Sequence, residues 1–206
     1  EEALKNGAAE ETAGGTEAFA EDAGVHLEEG EYDEHVWTSP ANAILIVEKI
    51  RDTLISIDPD RAGIYEENAR VYLEQLRSLD SDYRRVIGEA KRHTVIFGDR
   101  FPFLYLVKTY GLDYYAAFPG CSSETEPSAA TIAFLTDEVK EEHIPVVFYL
   151  ELSNAKVADA IAEVTGARTA MLHSCHTLTR EEMQRGENYL SLMRQNLEQL
   201  KLALNE

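Results

Sequence analysis

Residues 94–118 read TVIFGDRFPFLYLVKTYGLDYYAAF, and this stretch decides the fold. Thr94 to Phe97 is a short apolar run rich in β-branched and aromatic side chains, the mark of a buried strand. A helical pattern follows over about 102–110, and Gly111 stands where that helix should stop. A second strand run occupies 114–118. Strand, helix and strand in this order make a βαβ unit, whose two strands lie parallel.

The same alternation continues downstream. Runs at 145–150 (Pro-Val-Val-Phe-Tyr-Leu) and 168–172 (Arg-Thr-Ala-Met-Leu) read as strands, with helical patterns at about 127–142 and 153–165. Pro127 sits where a first-turn proline belongs, and Gly166 where a helix should end. The four strands are expected in one parallel sheet of spatial order 2-1-3-4. A closing helix begins near Glu187, with Leu190, Met193, Leu197, Leu200 and Leu204 on one stripe.

Upstream, Ser39-Pro40 is a helix-start signal, Ser being able to cap and Pro being tolerated in the first turn. Ile44, Val47, Ile50, Leu54 and Ile57 then recur at helical spacing until Asp58-Pro59 ends one helix and starts the next. In that second helix Tyr65, Ala69, Tyr72, Leu76, Leu79, Tyr83 and Val86 alternate steps of four and three. Over 59–90 this gives a helix of about 45 Å, long enough to act as a linking strut. The expected class is α/β: a small four-stranded parallel sheet lobe flanked by helices, with a long linker helix.

Charge separates the chain into parts and removes some partners. The formal net charge is −19, which repels nucleic acid and anionic lipid headgroups. Residues 1–35 alone hold 12 Asp or Glu against one Lys. Residues 1–31 therefore read as a solvated acidic arm, 32–91 as a helical segment and 92–206 as the α/β lobe. No apolar run approaches the roughly 18–20 residues of a membrane-spanning helix.

Ligands of open parallel sheets bind outside the carboxyl ends of the strands. Here those ends carry Gly98-Asp99-Arg100, Pro119-Gly120-Cys121, Glu151 and His173-Ser174-Cys175-His176. Imidazoles three apart after a strand, as His173 and His176 are, can converge on one ion, with Cys175 between them. Asp99 and Glu151 close strands and can ligate, orient a histidine or cap a helix. His35, beside Trp37, reads as structural on its local sequence. No Gly-rich phosphate loop, nucleophile elbow or His-Glu-x-x-His is present. These residues alone leave three readings open: metal capture, a zinc hydrolase with His173 and His176 as ligands and Glu151 as general base, and a lobe that binds no metal.

Two segments narrow the choice. Asp33-Glu34-His35-Val36-Trp37-Thr38-Ser39-Pro40 and Glu126-Pro127-Ser128-Ala129, in the order of elements above, resemble the zinc and manganese solute-binding proteins of ABC transporters. The resemblance runs from Tyr32 to the end of the chain. It implies two α/β lobes joined by a long helix with one metal between them, most of the amino-terminal lobe having no counterpart here. It implies no catalysis, and delivery of the ion to a membrane permease from an extracytoplasmic position, lipid-anchored or periplasmic. The family's motif histidine is matched by His35, its third ligand position falls on Gly98 and passes to Asp99, and its fourth falls on His173. With His176 the expected ligands are His35, His173, His176 and Asp99. Glu151, Cys121 and Cys175 are further candidates, as ligands or as groups that orient them. Imidazoles and thiols favour zinc, whereas oxygen-rich sites suit manganese, and ligand type alone leaves manganese or another divalent transition metal open.

Overall fold

Val95 and Phe97 face one side of a sheet and Ile96 the other, and this alternation organises the molecule. The structure, a computed structural model, describes residues 33–118 and 127–206. The expected acidic arm over 1–31, Cys121 and Glu126 lie outside the described residues. Four parallel strands, β1 (Thr94–Phe97), β2 (Asp113–Ala116), β3 (Val146–Leu150) and β4 (Arg168–Leu172), form one sheet. Their spatial order is β2-β1-β3-β4, as the sequence leads one to expect. Register pairs Val95 with Tyr114, Ile96 with Val147, and Val147 with Thr169.

Both faces are covered, so the central strands are apolar throughout. On one face Val95, Phe97, Val146 and Phe148 pack with Leu73, Leu76, Tyr83, Met193 and Leu200. These belong to α2 (Ala62–Gly88) and to the closing helix, Tyr189–Asn205, numbered α7 below. On the other face Ile96 and Val147 meet Leu135, Val139, Ala158 and Ile161. They come from α4 (Ala129–Glu141) and α5 (Lys156–Thr165). The remaining helices are α1 (Pro40–Ile57), α3 (Leu104–Tyr110) and the short α6 (Arg180–Arg185).

The long helix runs unbroken for 27 residues, and its stripe gains Leu73 and Ile87 as buried members. Tyr83, towards its carboxyl end, is wholly buried, and its hydroxyl donates to the Met193 carbonyl at 2.8 Å. That bond ties α2 to α7 where an unpaired phenol would be costly. The stripe on α1 is less completely covered: Ile50 is 53% exposed and Ile57 72%. Among the described residues α1 lies chiefly along α2, so only part of its apolar arc meets a neighbour. Among the described residues no helix is long and apolar enough to cross a membrane.

Several boundaries differ from the sequence reading for local reasons. Ser39 precedes α1 but does not cap it, because its hydroxyl bonds that of Thr109 on α3 at 2.9 Å. Pro127 lies one residue before the cap rather than in the first turn. Ser128 is the cap of α4 and accepts from the Thr131 amide at 3.0 Å. The second strand ends at Ala116, although the Ala117 amide still reaches the Phe97 carbonyl. Gly111 and Gly166 end α3 and α5 with φ of 72° and 78°, the left-handed caps their positions suggested.

Gly98, just past β1, is where the sheet and α5 come closest. A Cβ there would lie 2.5 Å from the Cα and N of Ala158. Since that neighbour is helix backbone, Gly98→Ala forces α5 away from the sheet. We expect a loss of about 3 kcal/mol, within the range for overpacked cores. Thermal denaturation should show a melting point lower by roughly 6–12 °C, and an unchanged one would show that α5 can shift freely.

Candidate metal site

The turn before α1 and the loop after β4 meet at the carboxyl edge of the sheet. Trp37, in a 3₁₀ turn at Val36–Thr38, donates its indole N–H to the Ser174 carbonyl at 2.9 Å. Tyr189 on α7 donates its hydroxyl to the Trp37 carbonyl at 2.8 Å. These two bonds cross 137 and 152 positions of sequence, and they carry His35 to the sheet edge.

There His35, Trp37 and His176 form a triangle of rings. Centroid separations are 5.4 Å for His35 and Trp37, 6.2 Å for His35 and His176, and 5.9 Å for Trp37 and His176. His35 is buried and His176 is exposed, so the pair has one protected wall and one open one. Two imidazoles on one tetrahedral zinc, with Zn–N near 2.0–2.1 Å, have centroids about 5 Å apart. The observed pair, at 6.2 Å, is within about 1 Å of that.

Asp33 prepares one of these rings. Its Oδ1 accepts from the His35 amide at 2.8 Å and stands 3.1 Å from His35 Nδ1. A carboxylate at Nδ1 holds the proton there and leaves the Nε2 lone pair for a ligand, the arrangement typical of metal-binding histidines. Asp33, Glu34 and His35 also offer ligand atoms within 4.8 Å of one another. The sequence reading named His35 alone from this trio. The Asp-x-His spacing was the available signal for Asp33.

The other expected residues are engaged in contacts of their own. His173 is buried, and Asn196 of α7 grips its peptide: Oδ1 accepts the His173 N–H and Nδ2 donates to the His173 carbonyl, both at 2.8 Å. The His173 ring accepts the Cys175 amide on Nδ1 at 2.9 Å. Its Nε2 is buried without a hydrogen-bond partner, and Glu182 Oε1 lies 3.6 Å away. Glu151 turns both carboxylate oxygens to Ser174, one to its amide at 2.8 Å and the other to its hydroxyl. The Ser174 hydroxyl in turn receives the His176 amide at 3.2 Å.

Asp99 is likewise engaged with the backbone. Oδ1 accepts from Arg100 N–H at 2.8 Å and Oδ2 from Leu150 N–H at 3.2 Å, which clasps the ends of β1 and β3 together. Cys175 is a free cysteine. Burial, reinforced by the Glu151 and Glu182 carboxylates, pushes its thiol up to about 12. The structure thus brings His35 and His176 together and keeps His173, Asp99, Glu151 and Cys175 in supporting contacts.

Two supporting residues escaped the sequence reading. Glu182 forms a reciprocal cap with Thr179 at the start of α6. Thr179 N–H and hydroxyl bonds hold its carboxyl below the usual carboxylate range. The Thr-x-x-Glu spacing was a visible capping signal. Asn196 was detectable as the one polar residue three positions after Met193 on an otherwise apolar arc.

An open parallel sheet with imidazoles gathered outside its carboxyl edge defines an α/β ligand-binding lobe. More particularly, the chain belongs to the family described as zinc-uptake complex component A, periplasmic, whose model matches residues 1–203. It is 40% identical over 184 residues to the zinc-binding lipoprotein AdcA of Streptococcus pneumoniae, covering 88% of this chain and 36% of that protein. It is 37% identical over 172 residues to the high-affinity zinc uptake system protein ZnuA of Bacillus subtilis, covering 84% of this chain and 53% of that one. The Zn(II)-bound ZnuA-like domain of S. pneumoniae AdcA shares the fold with a TM-score of 0.74 at 38% identity, over 89% of this chain and 69% of that domain. The chain thus spans between about a third and about half of the length of these two curated relatives.

Proposed function

We propose that this chain captures zinc between His35 and His176 as part of the solute-binding component of a metal-importing ABC transporter. The observation that carries this reading is the ring pair itself, with Asp33 behind His35 to set its free nitrogen. Residues 32–91 supply the wall bearing His35, and residues 92–206 the lobe bearing His176. The ion is held at the cleft edge and passed to a membrane permease from an extracytoplasmic position. Relatives named for zinc binding and zinc uptake support the choice of cargo over manganese.

Capture without catalysis fits the polar network. A zinc hydrolase needs a general base free to activate water. Glu151, the residue suited to that part, has both oxygens bonded to Ser174.

Trp37 is the only tryptophan of the chain and touches both rings, so its fluorescence should report zinc directly. Titration with zinc is expected to change that emission to a saturating end point, reversed by a chelator. A flat titration, with no zinc retained on dialysis, would remove the reading.

Zinc binds only unprotonated imidazole, so protons compete with it. Affinity should therefore fall as pH drops. With two histidine ligands the decline approaches a hundredfold per pH unit on the acid side. Chelator competition at several pH values measures it, and a flat profile from pH 7 to 5 would point to oxygen ligands instead.

A further inference from the structure

His173 leaves the sheet edge three residues before His176, yet its ring is wired differently from that of His35. We propose that His173 is a positioning residue: its Nδ1 accepts the Cys175 amide, holds the turn at Cys175, and so aims His176 at His35. This rests on the zinc-capture reading above, and it assigns His173 a role other than that of ligand.

A neutral imidazole has one donor nitrogen and one acceptor nitrogen. With the Cys175 N–H donating to Nδ1 at 2.9 Å, the proton of His173 belongs on Nε2. A histidine that ligates zinc through Nε2 carries its proton on Nδ1. In His173 that proton would point straight at the Cys175 N–H, setting two donors against each other. Glu151 Oε1, the nearest carboxylate to Nδ1, is 3.9 Å away and outside hydrogen-bond range. His35 shows the reverse arrangement, with the Asp33 carboxylate at Nδ1. Backbone amide and carboxylate thus impose opposite tautomers on the two rings.

The far side of the His173 ring agrees with this. Nε2 is buried, lacks a hydrogen-bond partner, and faces Glu182 Oε1 at 3.6 Å. A donor N–H directed at a carboxylate is favourable there, whereas a bare lone pair would face negative charge. Cys175 itself has φ of 60°, a left-handed conformation that a non-glycine residue adopts only when its surroundings hold it. The bond to the His173 ring is such a hold. Asn196 fixes the peptide from which that ring springs, and the Ser174 hydroxyl receives the next amide, that of His176. The turn delivers the His176 ring to 6.2 Å from His35.

Substitution at 173 separates positioning from ligation. In His173→Asn the side-chain oxygen falls near the former Nδ1 and can accept the Cys175 amide, but nothing replaces Nε2. We expect His173→Asn to bind zinc within about threefold of the original protein, and His173→Ala about 10–100-fold more weakly, as for other residues that orient ligands. Zinc K-edge absorption on the saturated proteins should count the same number of imidazoles in the original and both variants, and one fewer in His176→Ala. An imidazole missing from saturated His173→Asn, with affinity as low as that of His176→Ala, would make His173 a ligand and overturn the proposal. Ring nitrogen shifts in the metal-free protein give a second measurement that does not depend on zinc uptake or on a variant. They should show His173 protonated at Nε2, and protonation at Nδ1 would overturn the proposal. Failure of the original protein to bind zinc, with the Nε2–H form present, would sink the capture reading while leaving the turn-holding bond established.

Discussion

Replacing His35 by Ala is expected to weaken zinc binding by about 100-fold or more, and His176→Ala to do the same. The estimate follows from residues that merely orient a ligand, whose loss already costs about 10–100-fold, so loss of a ligand should exceed that. The two variants should differ in stability. His35 is 4% exposed and bonded to Asp33, so its removal opens a small polar gap, whereas His176 lies in solvent. Asp33→Ala should fall between, about 10–100-fold weaker, since the His35 ring stays but its tautomer is no longer set. Competition with a chromophoric chelator measures all three, with melting curves as the folding control. If both histidine variants held zinc as the original protein does, the pair would not be the site.

The second large effect concerns Asn196. It is buried and satisfies both backbone groups of His173. Asn196→Leu keeps the branched shape but leaves a buried N–H and a buried C=O unpaired. Each such group costs about 1–3 kcal/mol, so a loss of about 4 kcal/mol is expected. Urea denaturation should show a lower midpoint, and the melting point should fall by roughly 8–16 °C. Zinc affinity should fall with it, because the loop carrying His176 springs from that peptide. A loss below about 1 kcal/mol would mean that water enters and replaces the amide.

Both predictions come from contacts between residues far apart in the chain, which is where sequence reading is weakest. Apolar periodicity was enough for the long helices and the four strands, though not for the short α6. Alternation in Thr94–Phe97 and steps of three and four from Ala69 to Val86 are consequences of backbone geometry, which acts within a few residues. The β2-β1-β3-β4 order could be anticipated because short crossovers leave few ways to build a parallel sheet. Terminal positions were harder. Ser39 and Pro127 carry local start signals, yet Ser39 turns to Thr109 and Pro127 yields the cap to Ser128.

Legible in the residues alone were the parallel sheet, the long helix, the gathering of His173, Cys175 and His176 at one edge, and the Asp33-to-Pro40 motif. The sequence could not rank the histidines, because a side chain's role depends on what faces each ring nitrogen. What faces each ring comes only from tertiary structure. Trp37 and Tyr189 bring His35 beside His176, Asp33 gives His35 a free Nε2, and the Cys175 amide occupies Nδ1 of His173. Asp99 and Glu151 were legible as carboxylates at strand ends, but folding commits their oxygens to backbone and serine donors. The physical reason is that hydrogen bonds are short and directional. Which donor a carboxylate or imidazole meets is fixed by angstrom-scale placement, and that placement exists only once the strands have brought distant segments together.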